Sequence, residues 1–209
     1  MKYPNYYRIE LFSGKLSKFY DIFFSITTLG LEDKARKKIT GFISKGDKKI
    51  LDLATGTGSS AITIKNKFKN TDVYGIDLSE EMLNIAGKKN KKIKFSLQNI
   101  EKTDFKRDYF DVVTISFGLH EVPLKNRYNV MKEAYRLLKK KGKFIIFEFS
   151  MPKNIILKVL FSIFLKIVEP YGKSFIKRDL IKDLKKYKFK DVRKIYYYNN
   201  IFQIIYSVK

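Results

Sequence analysis

Asp52, Gly56, Gly58 and Asp77 are the residues on which this chain could build a ligand site. The short apolar run Ile50-Leu51-Asp52-Leu53, broken by one acid, leads straight into Ala54-Thr55-Gly56-Thr57-Gly58. Glycines there let the backbone bend sharply and approach a ligand that a Cβ would hold off. Asp77 ends a second run, Gly75-Ile76-Asp77, 19 residues after Gly58. A carboxylate in that place can accept hydrogen bonds from both hydroxyls of a ribose. The chemistry implied is recognition of a nucleoside.

The spacing Gly56-x-Gly58-x-x-Ala61 also satisfies the loose dinucleotide fingerprint. Asp52 weighs against that ligand, because a carboxylate at the mouth of the turn would repel a pyrophosphate, which wants bare N–H groups and a positive helix end. It suits S-adenosylmethionine (SAM), which has no phosphate and whose methionine portion carries an ammonium and a sulfonium. The competing reading, that Asp52 merely caps the turn, does not explain its pairing with Asp77.

His120 is the only histidine in the chain, and Glu121 follows it. Titrating near neutrality, a histidine can take the proton that a carbon or phenol nucleophile must lose. Glu121 or Glu148 could orient it. The alternative is a histidine that packs or caps its loop.

These groups need a scaffold. Leu16, Phe19, Tyr20, Phe23 and Phe24, then Leu31, Ala35, Ile39 and Phe42, recur at helical spacing over 15–43, ahead of the first strand, where a helix can lie over a cleft as a lid. After the glycine turn the pattern predicts a helix to about Lys69, strand Asp72 to Ile76, and a helix capped by Ser79 with Met82, Leu83 and Ala86 inside. Strand Ile93 to Leu97 runs into Gln98-Asn99-Ile100-Glu101, and Tyr109 to Ser116 is a β-branched central strand. A helix through Val130, Met131, Ala134, Tyr135 and Leu138 is expected to stop at Lys139-Lys140-Lys141-Gly142, before strand Phe144 to Phe149. A helix from Asp179 to Tyr187 precedes two strands, Val192 to Tyr198 and Ile201 to Val208, with a hairpin turn at Asn199-Asn200.

Strand, helix, strand, repeated five times, predicts an α/β fold: a mostly parallel sheet with helices on both faces. Ligands in such sheets bind beyond the carboxyl ends of the strands. Asp52 with the glycines, Asp77, Asn99-Ile100 and Ser116 all fall at such ends and so converge on one cleft. The whole of 1–209 reads as a single domain, with 1–45 as a helical lid and 153–190 as substrate-side helices.

The segment Asn154 to Val168 is apolar except for Lys158, Ser162 and Lys166, which share a face. It is shorter than the ~20 residues that cross a bilayer. Three readings are open: burial against the sheet, the wall of an apolar pocket, or a place in a membrane interface.

At 209 residues and 44% hydrophobic, the chain is long and apolar enough for one full core. It opens without a signal pattern and has no spanning run, so the expected location is cytoplasmic, or peripheral to the inner face of the membrane. The absence of cysteine excludes disulfides, thiolate zinc sites and iron–sulfur clusters, and no metal is expected. A net charge of +23 comes from 37 lysines to 7 arginines. That excess fits compositional drift, or peripheral contact with an anionic membrane. Nucleic acid is disfavoured, since base and phosphate readout prefers the arginine fork.

With these residues in hand, the chain resembles class I SAM-dependent methyltransferases, and within them the ubiquinone/menaquinone C-methyltransferase branch. The matching pieces are Phe19-Tyr20-Asp21, Thr28-Leu29-Gly30-Leu31, LDLATGTG at 51–58, GIDLSEEML at 75–83, Gln98-Asn99-Ile100-Glu101, TISFGL at 114–119 and FEFSMP at 147–152. The resemblance implies Thr57, Asp77, Asn99, Ile100 and Ser116 as cofactor contacts, and a Rossmann-like seven-stranded sheet whose last strand is antiparallel. Ala54, Thr55, Leu78, Met82 and Tyr20 complete the candidate set. Where the branch carries Arg-Asn after SFGL, this chain has His120-Glu121. The expected activity is SAM-dependent methyl transfer to a small, hydrophobic acceptor, quinol-like or lipid-like. The alternatives are an N-methyltransferase acting on a phospholipid or small amine, and a SAM-binding protein without turnover.

Overall fold

Near-continuous apolar runs, buried on both faces, make the central strands of a seven-stranded sheet, whose two edge strands are more exposed. The computed structural model describes residues 30–168 and 175–209. The predicted stripe from Leu16 to Phe24, Tyr20 included, lies outside them. The strands are β1 (Lys49–Leu53), β2 (Asp72–Asp77), β3 (Lys94–Leu97), β4 (Phe110–Ser116), β5 (Leu138–Phe149), β6 (Lys190–Tyr197) and β7 (Phe202–Val208). They lie in the order β3-β2-β1-β4-β5-β7-β6. Neighbours from β3 to β5 pair in parallel, and β7 runs antiparallel to both β5 and β6. The chain winds outward from β1 through β2 to β3, then returns to β4 on β1's other side. The loops after β1 and β4 therefore leave the sheet side by side, at the switch point where α/β ligands sit. The expected Rossmann-like sheet with an antiparallel last strand is the one observed.

Six helices are described: α1 (Leu31–Ile39), α2 (Ser59–Lys67), α3 (Glu80–Lys89), α4 (Leu124–Leu137), α5 (Ile155–Val168) and α6 (Leu180–Lys186). Successive strand residues face opposite sides and split the core in two. Leu51, Val113 and Ile146 pack with Val130, Met131 and Ala134 of α4 and Leu184 of α6. Ile50, Val112 and Ile145 pack with Ala35 and Ile39 of α1 and Ala61 and Ile64 of α2. Local caps are where the sequence places them. The Ser79 hydroxyl accepts the Met82 N–H at 3.2 Å, and Asp179 accepts the N–H groups of Ile181 and Lys182. The hairpin turns through Tyr198, Asn199 and Asn200, all left-handed.

The structure corrects or narrows three readings. Among the described residues no helix joins β3 to β4. The connecting loop is held instead by α4, whose Glu133 carboxylate accepts the Thr103 N–H at 2.8 Å and its hydroxyl at 2.7 Å. The lysine run 139–141 does not separate α4 from a strand starting at Phe144, because β5 begins at Leu138. Its pairing with β4 then jumps from Phe110↔Leu138 to Val112↔Lys143. Lys141 is left-handed in this excursion, and a Cβ on Gly142 would stand 2.8 Å from the Lys139 carbonyl oxygen. Finally, of the three readings open for 154–168, burial against the sheet does not hold for the first six residues of α5: Ile155 to Leu160 are all exposed. Its Phe161 turns inward, its ring centroid 5.4 Å from that of Phe149.

Candidate functional site

The glycine turn is pinned from below by Asp52. Its two carboxylate oxygens accept the hydroxyls of Thr55 at 2.7 Å and Thr114 at 2.6 Å. The side chain is almost fully buried. Burial pushes its carboxyl up to about 6, against the two hydroxyls and the nearby positive charge of Arg36. Asp77 spans the turn from the end of β2, accepting the Gly56 N–H at 2.7 Å and the Ser79 N–H at 2.9 Å. Loss of water raises its carboxyl too, and those N–H groups oppose the rise. Two carboxylates whose charge is disfavoured by their surroundings thus converge on one turn.

The glycines divide by role. A Cβ on Gly75 would stand 2.7 Å from the Phe95 ring, and one on Gly58 3.0 Å from Ala86. Gly118 is tightest, its added Cβ 2.6 Å from that of Ala54. Ala54 is itself left-handed at φ 49°, as is Phe117 at 54°. Two residues in a region disfavoured for L side chains therefore flank the point where the loop after β4 rests on the glycine turn. Gly56, at φ 52°, has open space where a side chain would stand.

Ser116 ends β4, and its hydroxyl accepts that of Ser60 on α2 at 2.8 Å. Ser60 in turn accepts a guanidinium N–H of Arg36 at 2.9 Å, and Glu32 pairs with Arg36. This relay ties α1 to the end of β4. Thr57 is buried with its hydroxyl 3.3 Å from that of Ser59. The Asn99 side-chain oxygen accepts the Glu101 N–H at 2.9 Å and so shapes its own loop. Ile100 next to it, Leu78 just after β2 and Met82 on α3 are all buried.

His120 sits in the loop after β4 with Nδ1 2.7 Å from Oε2 of Glu148. The other oxygen of Glu148 accepts the N–H groups of Leu119 and His120 at 2.9 and 3.1 Å. Glu148 therefore fixes both the backbone and the ring. Arg127 holds the loop from behind, donating to the carbonyls of Val122 at 2.6 Å and His120 at 3.2 Å. Burial lowers its guanidinium to about 10, against the charge of Glu148. The imidazole lies edge-on to Phe149 and Phe175. Of the two acids proposed to orient His120, Glu148 makes the contact. Glu121 is the next residue of the same loop, half-buried.

Asp52, Ala54 to Gly58, Asp77 and Ser116 are thus drawn together at the switch point, with His120 in the abutting loop. Arg36, Ser60, Thr114 and Arg127 were not singled out from the sequence. Two of them carried a signal: arginine is scarce in this chain, and both arginines are used as forks. Ser60 and Thr114 carried none.

The residues fit SAM. Gly56 offers open backbone where a nucleoside can approach, and the raised carboxylates favour a cationic ligand over a pyrophosphate. Solved structures of similar fold include a SAM-dependent methyltransferase from Archaeoglobus fulgidus, with TM-score 0.69 and 15% identity over 91% of this chain and all of that one. Human N-acetylserotonin methyltransferase in complex with SAM gives TM-score 0.67 and 17% identity, over 87% of this chain and 54% of that one. The ubiquinone/menaquinone biosynthesis C-methyltransferase UbiE of Rickettsia prowazekii is 37% identical over 159 residues, 71% of this chain and 63% of the relative. The demethylmenaquinone methyltransferase of Thermotoga maritima is 33% identical over 141 residues, 67% of this chain and 61% of the relative. The chain therefore spans less than two thirds of the length of these two relatives. The profile of the ubiE/COQ5 methyltransferase family matches residues 5–199, nearly the whole sequence, and the chain belongs to that family of SAM-dependent methyltransferases.

Proposed function

We propose that this chain transfers a methyl group from SAM to a carbon of a small, hydrophobic, quinol-like acceptor, with His120 as the base. The observation that carries the reading is the His120–Glu148 pair, set in the loop that rests on the glycine turn. The names of the relatives support the acceptor class. Asp77 would take the ribose hydroxyls on the lone pairs that the Gly56 and Ser79 N–H groups leave open, and the open backbone at Gly56 would lie against the nucleoside. Thr57, Asn99, Ile100, Leu78 and Met82 would line the rest of the cofactor side. Asp52 would act mainly by its charge beneath the turn, since its oxygens already hold Thr55 and Thr114.

When bound, SAM supplies an electrophilic methyl at a sulfonium. The protein's share is alignment in a dry cleft, an effect of order 7–11 kcal/mol in favourable cases. Proton removal is the other requirement. With Glu148 on Nδ1, His120 is held in the tautomer whose Nε2 is basic, and the imidazolium that forms is stabilised by the same carboxylate. The proton comes from the acceptor's hydroxyl or from the carbon that gains the methyl. As part of this proposal the chain is one domain, with α5 and α6 on the acceptor side.

Labelled methyl from SAM, incubated with the protein and a total cell extract, tests the reading once lipid, RNA, protein and small polar fractions are separated. Label on a quinone in the lipid fraction is the expected result. Label on phospholipid or on a small amine would replace the acceptor class, and SAM binding with no label in any fraction would favour a binding protein without turnover.

A further inference from the structure

Over 155–163, helix α5 presents an outer face of large apolar side chains. Ile155, Ile156, Val159, Leu160 and Ile163 are 69, 67, 54, 59 and 52% exposed. Their spacing places them on one side of a helix, with Lys158 and Ser162 along its border. Single exposed leucines are ordinary, whereas a contiguous face of five marks a surface that meets something apolar. The helix has 14 residues, and no described helix is long and apolar enough to cross a membrane.

The surrounding charge selects the occupant. From Phe149 to Val168 the sequence has lysines at 153, 158 and 166 and no acid, in a chain of net charge +23. Two copies meeting through this face would bring like charge together, while an anionic lipid surface would attract it. We infer that the outer face of α5 lies in the interface of an anionic membrane, parallel to its plane, with Lys153 and Lys158 at the headgroups. The inner side of the same helix leads to the site. Phe161 packs on Phe149, whose ring lies 5.7 Å from that of His120. Resting on the proposed function, that continuity gives a membrane-dissolved acceptor a path into the cleft without crossing water.

Co-sedimentation of the full chain with phosphatidylcholine vesicles, made with and without phosphatidylglycerol, tests the docking. The wild type should bind the anionic vesicles and lose that binding as salt is raised. The variant Ile156→Glu/Leu160→Glu should bind them about tenfold or more weakly, with its melting temperature and SAM affinity unchanged. Equal vesicle binding by the variant would overturn the inference, as would a wild type that ignores vesicles. A self-association abolished by the same two substitutions would overturn it in favour of a second copy. Vesicle binding is read without turnover, so a chain that docks through α5 yet methylates no quinol would refute the proposed acceptor and leave the docking in place.

Discussion

Asp52→Asn should stabilise the ligand-free protein at pH 8. Burial holds the Asp52 carboxyl at about 6 rather than its ordinary 3.8. Keeping it ionised in the fold at pH 8 therefore costs about 3 kcal/mol relative to the unfolded chain. The sign follows from proton binding: between the two values the folded state holds the proton and the unfolded state does not. Wild-type stability thus rises as pH falls through 6, and the penalty is gone below 3.8. An asparagine keeps the shape of the site, with its oxygen accepting one threonine hydroxyl and its amide donating to the other. That rearrangement loses about 1 kcal/mol. The net gain of about 2 kcal/mol corresponds to about 4–8 °C in melting temperature for a chain of this size. Thermal melts of both proteins from pH 8 to pH 4, with and without SAM, provide the assay. The variant's advantage should shrink below pH 6 and vanish by pH 4, and SAM should stabilise the variant less than the wild type. A variant less stable than wild type by the same amount at every pH would refute the reasoning, because Asp52 would then be a satisfied hydrogen-bonding group with no electrostatic cost.

Gly118→Ala would put a Cβ 2.6 Å from that of Ala54 and should cost about 1–3 kcal/mol in urea unfolding. Adding Ala54→Gly should recover most of the loss, and additive losses would show that the two positions do not touch. Arg127→Lys cannot span the carbonyls of His120 and Val122 together. It should lose about 2 kcal/mol of stability and lower kcat more than SAM affinity, read by turnover beside a binding titration.

What was legible in the sequence was chemistry confined to a few neighbouring residues. The glycine turn, the Ser79 cap and the Asn199-Asn200 hairpin each declare themselves within a handful of positions. So does the parallel sheet, through runs such as FIIFEF. No helix was read between Glu101 and Tyr109, yet a count of five strand–helix–strand units implied one; the β3–β4 connection is a loop whose polar groups are satisfied from α4, through Glu133 and Arg136. The excursion at 139–142 was invisible because a lysine run has no alternation to break.

The site followed the same rule. Asp77 was readable from its distance to the turn, and the choice between Glu121 and Glu148 was not, since it depends on how β5 lies beside the loop after β4. The apolar composition of α5 could not distinguish burial from exposure. One signal lay unused. In a chain that otherwise spends lysine freely, Arg36, Arg127, Arg136, Arg178 and Arg193 each use the guanidinium to hold more than one acceptor or both oxygens of one carboxylate.

The most direct measurement is methylation of a water-soluble, short-chain demethylated quinol by wild type and His120→Gln at saturating SAM, across a pH series. Glutamine can keep the hydrogen bond to Glu148, so SAM affinity and melting temperature should be unchanged. The wild type should place the methyl on a ring carbon with one demethylated cofactor released per product, and the variant should be slower by about 10²–10⁴. Turnover by His120→Gln equal to wild type at every pH would contradict the account.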